Sequence, residues 1–302
     1  MPNGTTTVLF TAQSETGTIT RLILKHAREA FQNTETITGQ WQELNFTAAP
    51  DFEQAVRQYD EFLAIAGSSG CEITMLPKAT DTGLDSIYVR DAAVVCDRGV
   101  ILCRMGKPQR AGEPVAQEAA FRALGFPVLG TIQPPGRLEG GDVLWLDEET
   151  IVVGRGYRTN DAGIDQLRSL LGDTVKEFLV VPLPHWRGAG DVFHLMSFIS
   201  PLDRDLAVVY SPLMPVFFRE RLLERGMTLI EVPEEEFETM GANVLALAPR
   251  RCLMVAGNPI TRSRLAAAGV EVIEYEGSEI SQKGGGGPTC LTRPLQRANP
   301  RR

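Results

Sequence analysis

The chain has no apolar run approaching the roughly 20 residues that cross a bilayer. Its first residues, Met1-Pro2-Asn3-Gly4-Thr5, lack the basic and apolar regions of a secretory leader. Nor is there a basic excess: the net charge is −8, which argues against a nucleic-acid or anionic-membrane surface. Cysteine is sparse. The five thiols, at 71, 96, 103, 252 and 290, form no dense disulfide framework, and their odd number fits reduced side chains in a cytoplasmic protein. Cys96 and Cys103 have no second pair at zinc-ligand spacing. There is no P-loop and no Gly-x-Ser-x-Gly elbow, and Gly154-Arg155-Gly156 lacks the third glycine of a dinucleotide fingerprint. Histidine is scarcer still, with three copies, so each can be weighed singly.

What is present is a globular composition of 302 residues, 43% hydrophobic and 23% charged, enough to bury a substantial core. The most unusual stretch is Lys283-Gly284-Gly285-Gly286-Gly287-Pro288-Thr289-Cys290. Four glycines make ordering this backbone costly, so the run suits a place where backbone passes very close to something else. Proline then stiffens the approach to Cys290. The segment reads as a shaped backbone pocket presenting one thiol. Cys71, Cys96, Cys103 and Cys252 lie in or beside apolar segments and read as packing residues.

The apolar spacing predicts a helix over Ile19–Phe31 and a second after the N-cap Asp51, ending at Gly67-Ser68-Ser69-Gly70 before a strand at Cys71–Leu76. That order of helix, glycine and strand recurs. The glycines fall at 70, 125, 172, 226 and 269, a period of about 50 residues. Each suits a left-handed helix C-cap. After each strand comes a polar or glycine-rich patch, containing Asp91, Glu139, His194, Asn243 and Cys290 in turn. Five αβ units closed in a ring would gather these patches at one end, and no linker interrupts the series. The expectation is an α/β fold, one domain across residues 1–302; an open α/β sheet is the alternative.

Chemistry can then be sought in the patches. His26 sits within the first expected helix and His185 in a Pro-His-Trp loop, whereas His194 shares the patch position of Cys290. Arg137-Leu138-Glu139-Gly140-Gly141-Asp142 precedes a strand at Val143–Leu146, and its two glycines permit close approach to a ligand. Asp85–Asp91 reads as a strand with acids on one face, suited to a cation.

Together these motifs resemble the dimethylarginine dimethylaminohydrolases, within the guanidino-group-modifying (pentein) superfamily that also holds arginine deiminases and amidinotransferases. The resemblance runs from about Asp85 to Arg293 and implies a five-bladed pseudo-symmetric α/β propeller. It implies Cys290 as nucleophile, His194 of His194-Leu195-Met196-Ser197 as acid–base, and Glu139 of Glu139-Gly140-Gly141-Asp142 as its partner. It further implies Asp85 and Asp91 at the guanidinium, Asp142 completing that motif, and Arg110 and Arg158 at a substrate carboxylate. The implied activity is hydrolysis of a C–N bond of a substituted arginine or related small guanidino compound through a covalent thiouronium, which requires no metal and no organic cofactor. Deiminase or amidinotransferase chemistry, or a non-catalytic guanidino sensor, are the alternatives. A homodimer is the assembly allowed for. Three departures stand out. Arg90 occupies a position that is commonly a carboxylate, and would repel or re-aim a cationic group. Ala12–Gly17 does not match the family's covering loop, and Met196 replaces the aspartate usual in arginine deiminases.

Overall fold

The computed structural model describes residues 8–191 and 193–300; Met1–Thr5, discussed above, lie outside the described residues. The strands are β1 (Val8–Thr11), β2 (Thr18–Leu24), β3 (Glu72–Met75), β4 (Ala93–Cys96), β5 (Gly99–Leu102), β6 (Val128–Thr131), β7 (Val143–Asp147) and β8 (Thr150–Arg155). They continue as β9 (Glu177–Pro182), β10 (Ile199–Asp203), β11 (Leu206–Val209), β12 (Thr228–Glu231), β13 (Leu245–Ala248), β14 (Arg251–Val255), β15 (Glu271–Tyr275) and β16 (Arg293–Pro300). They form five small sheets, four of them in the orders β4-β5-β6, β7-β8-β9, β10-β11-β12 and β13-β14-β15. In each, the first two strands are an antiparallel hairpin, and the third returns parallel to the second. A parallel return needs a crossover. The helices Glu113–Ala123, Asp161–Leu171, Val216–Glu224 and Pro259–Ala267 supply it.

The fifth sheet, β1-β16-β2-β3, closes the ring. Here β16 takes the place of the hairpin's first strand, antiparallel to β2, and β2 runs parallel to β3 across the helix Phe52–Gly67. The C-terminus thus completes the unit that the N-terminus begins, giving the expected five-bladed α/β propeller. First strands of neighbouring blades meet: Trp145 on β7 donates to the Val95 carbonyl of β4, and Ser200 on β10 donates to the carbonyl of Ala242 ahead of β13. Apolar clusters fill the spaces between blades, one of them packing Leu144 and Val152 against Phe198, Val208 and Met254.

The repeat glycines have the expected backbone: φ is +74° at Gly70, +81° at Gly125, +54° at Gly172, +76° at Gly226 and +78° at Gly269. Side chains rarely adopt that region, so the glycine that ends each helix also sets the return of the outer strand. Asp51 caps its helix as read, accepting from the Gln54 N–H at 2.7 Å.

Two local expectations are corrected. Ile19–Phe31 is not one helix: Thr18–Leu24 is β2, and only Ala27–Phe31 is helical, with His26 as its N-cap. The apolar residues fit either period, and pairing with β16 decides for strand. Asp85–Asp91 is not a strand either. Leu84–Ile87 is a 3₁₀ turn, with the Ser86 N–H bonded to Gly83 O and that of Tyr88 to Asp85 O. The chain is bending there from one blade into the next.

Candidate active site

Each patch residue lies two to five positions ahead of the first strand of a blade: Asp91 before β4, Glu139 before β7, His194 before β10, Asn243 before β13 and Cys290 before β16. Five equivalent strand entries therefore face one cavity of about 190 Å³, whose lining includes Asp85, Asp91, Arg110, His194, Asn243 and Cys290.

The glycine run shapes one wall by close packing. A Cβ on Gly284 would lie 1.9 Å from the Tyr88 hydroxyl, one on Gly286 2.4 Å from that ring, and one on Gly287 2.5 Å from Asn243 Oδ1. Only Gly285 of the four has a positive φ, +75°. The run is glycine because backbone touches side chains there, as its composition suggested. Asn243 then holds the end of the loop: its Oδ1 accepts from the Thr289 N–H at 3.1 Å and hydroxyl at 2.7 Å, and its Nδ2 lies 3.4 Å from the Cys290 sulfur. Burial, then the nearby Asp91 charge, push the Cys290 thiol up, while Asn243, Thr289 and Arg90 oppose this. Burial thus favours the neutral thiol over the thiolate.

His194 is fixed from both sides of its peptide. Its N–H donates to Ser197 Oγ at 3.0 Å, and the next N–H, of Leu195, donates to Asp142 Oδ1 at 3.0 Å. The ring places Nε2 2.7 Å from Glu139 Oε2 and Nδ1 3.9 Å from Asp91 Oδ1. Burial alone would lower its pKa, but Asp91, Asp142 and Glu139 outweigh it and raise the imidazole to about 9. Glu139 is buried too, yet the His194 hydrogen bond and charge, helped by Arg158 and Arg110, hold it well below the usual carboxylate range. The pair is imidazolium and carboxylate at neutral pH.

The other expected residues are near, but not all face the cavity. Asp85 pairs with Lys107 at 2.6 Å and Asp91 with Arg110 at 2.6 Å. Arg110 is also gripped by Glu113 at 2.8 Å, which leaves it little freedom to hold a substrate carboxylate. Arg158 lies 3.5 Å from Glu139 and 3.5 Å from the Asp191 carbonyl. Asp142 is fully buried behind His194, where burial lifts its carboxyl to about 6. Arg90 lines the cavity, but its guanidinium turns to Glu15 at 2.6 Å, so it does not meet a cationic substrate as an unbalanced charge. Glu15 belongs to the segment that lacked the covering-loop pattern.

A family model described as N,N dimethylarginine dimethylhydrolase, eukaryotic, matches residues 32–297. The chain belongs to the dimethylarginine dimethylaminohydrolase family. A family enzyme of Streptomyces coelicolor is 34% identical over 246 residues, covering 82% of this chain and 88% of the other. An arginine deiminase of Listeria welshimeri is 29% identical over 255 residues, 70% of this chain and 61% of that longer protein. Among solved structures, a dimethylarginine dimethylaminohydrolase adduct with S-methyl-L-thiocitrulline aligns at TM-score 0.74 and 26% identity, over 91% of this chain and 98% of the other. The family and propeller expected from the motifs are both found.

Sequence reasoning missed several residues of this dimethylaminohydrolase-family site. Asn243 was located by spacing but given no role. Lys107 and Glu113, neutralising Asp85 and Arg110, had no signal beyond lying in the same blade. Trp186, Arg187, Phe237 and Glu238 form the mouth, with Arg187 2.6 Å from Glu238 and the Trp186 and Phe237 rings edge to face at 6.1 Å. Asp91, Glu139 and His194 have ligand atoms within 4.8 Å of one another, a spacing that would suit a cation, but His194 and Glu139 already bond each other.

Proposed function

We propose that this hydrolase of C–N bonds in linear amidines acts on an Nω-substituted arginine, releasing an amine and leaving citrulline. The observation that carries the reading is that an imidazolium, a pair of acids and a thiol, brought by three different blades, converge on one cavity. A guanidinium carbon is a poor electrophile because its charge is spread over three nitrogens. Asp91 and Asp85, held in place by Arg110 and Lys107, would fix the group by charge-assisted hydrogen bonds. Bringing that cation beside Cys290 offsets the burial that keeps the thiol neutral, so the sulfur loses its proton as substrate arrives.

The thiolate attacks the guanidinium carbon to give a tetrahedral adduct. His194, protonated through Glu139 and Asp91, gives its proton to the departing amine as the C–N bond breaks, leaving a thiouronium on Cys290. The neutral imidazole then takes a proton from water, the hydroxide adds to the carbon, and the thiolate leaves as the ureido product forms. Acid–base help of this kind is typically worth about 10²–10⁴ in rate. Arg110 is locked in buried pairs with Asp91 and Glu113, and Arg158 is held beside Glu139. Among the described residues Arg187 pairs only with Glu238, in an ion pair more than half exposed at the mouth and weak enough to exchange, so the substrate carboxylate is assigned to Arg187.

Plain arginine deimination is the second reading. Met196, apolar in the cavity lining, favours a substituted nitrogen over it. The proposal takes residues 1–302 as one catalytic domain of a cytoplasmic protein, with homodimer formation to be measured by light scattering. The test is a ureido-product assay with arginine, monomethyl- and dimethylarginine, on wild type and Cys290→Ser, with released amine identified by mass. Turnover of a methylated substrate, lost in the variant, is expected. Turnover of arginine alone would transfer the assignment to a deiminase, and unchanged turnover in Cys290→Ser would remove the nucleophile.

A further inference from the structure

Three arginines are buried among the first strands of the blades and take no part in the chemistry above. Arg90, Arg293 and Arg297 are 1%, 5% and 1% exposed. Their anchors come from three blades and the segment ahead of β2. Arg90 Nη2 donates to Glu15 at 2.6 Å and reaches the Val143 carbonyl at 3.5 Å. Arg293 Nη1 donates to the Ala93 carbonyl at 2.8 Å, and Arg297 Nη1 to those of Gly17 at 2.6 Å and Ala246 at 2.8 Å. These contacts use one edge of each guanidinium. On the remaining edges, the N–H groups at Arg90 Nε and Nη1, Arg293 Nε, and Arg297 Nε and Nη2 are buried with no acceptor among the described residues.

The charges do not balance. Glu15 faces the three guanidinium groups and is spent on Arg90, while Asp91, also felt by Arg293, is already ion-paired with Arg110. The Cys103 thiol, beside Arg293, is held neutral by burial. Burial and mutual repulsion lower Arg293 to about 9 and Arg297 to about 10. Water could satisfy the N–H groups but not their charge; an anion does both, and buried guanidinium groups need such a partner. We propose that Arg90, Arg293 and Arg297 form a binding site for a small monovalent anion of the halide class within the propeller. The site shares Arg90 with the cavity lining, and the backbone N–H of Arg90 donates to the Cys290 carbonyl at 3.2 Å, so an anion that holds the Arg90 side chain helps fix the backbone of the nucleophile.

The probes are chloride and bromide. Thermal unfolding of the whole protein, with chloride replacing gluconate at constant ionic strength, is expected to show a saturable rise of about 3 °C. Arg297→Met is expected to abolish the rise. Arg297→Lys, which keeps charge but loses the fork, is expected to weaken it and serves if the first variant does not fold. Independently, crystals of the wild type in sodium bromide should show an anomalous peak bounded by the three guanidinium groups. A melting temperature indifferent to chloride, or bromide crystals without that peak, would overturn the site and leave water on these N–H groups.

Discussion

Replacing His194 by glutamine tests the charge state on which the proposed first half-reaction depends. In an unfolded chain the imidazole loses its proton near 6.5, and in the folded protein it does so near 9. Between those values the folded state binds more protons, so the histidine's contribution to stability falls as pH rises. It is fully present below pH 6.5 and lost once pH passes 9. A shift of that size corresponds to about 3 kcal/mol at ~1.4 kcal/mol per pH unit. Glutamine can still donate to Glu139 but cannot carry the charge. Wild type should therefore be more stable than His194→Gln at pH 6, with the gap closing by roughly 3 kcal/mol at pH 9.5. Subtracting the variant cancels most other groups that titrate in this window. The assay is urea unfolding followed by circular dichroism at pH 6.0, 7.5, 9.0 and 9.5. A gap that stays flat would mean that folded His194 is neutral, which would refute its proposed role as proton donor to the departing amine.

Other outcomes follow from the same geometry. Gly141→Ala would put a Cβ 2.5 Å from His194 Nδ1 and 2.8 Å from Asp91 Oδ1. It should lower kcat about 10²-fold by displacing the imidazole while the protein remains folded by circular dichroism. Asn243→Ala strips the acceptor from the Thr289 N–H and hydroxyl. It is expected to cost about 1–3 kcal/mol in chemical denaturation and to slow thiol alkylation by a guanidino-like electrophile. Arg187→Ala should raise KM about tenfold with kcat nearly unchanged, as loss of a binding contact does. An equal fall in kcat would place Arg187 in the chemistry instead.

The legible parts of this fold are those with local causes. A helix stopped by a left-handed glycine is written in a few adjacent residues, so the five units and their period could be read directly. The patch positions followed, and three of them, Glu139, His194 and Cys290, also carried motif signals. Misreadings arose where distant partners decide. The apolar residues of Ile19–Leu24 satisfy a helical period as well as a strand's, and β16, some 270 residues away, settles the matter. Asp85–Asp91 looked like a strand because its spacing is even, but i to i+3 hydrogen bonds bend it. Pairing of charges was the least visible feature. Neither the Glu113 grip on Arg110 nor the Glu15 contact with Arg90 is marked by spacing alone, so Arg110 was assigned a substrate carboxylate and Arg90 a repulsive role.

The most direct measurement is rapid acid quench of the wild-type protein mixed with Nω,Nω-dimethylarginine, followed by peptide mass mapping. The account predicts a transient adduct on the peptide bearing Cys290, with its mass equal to substrate minus dimethylamine, and citrulline appearing as it decays. Citrulline formed without an adduct on Cys290 at any quench time, or an adduct carried by another cysteine, would contradict it.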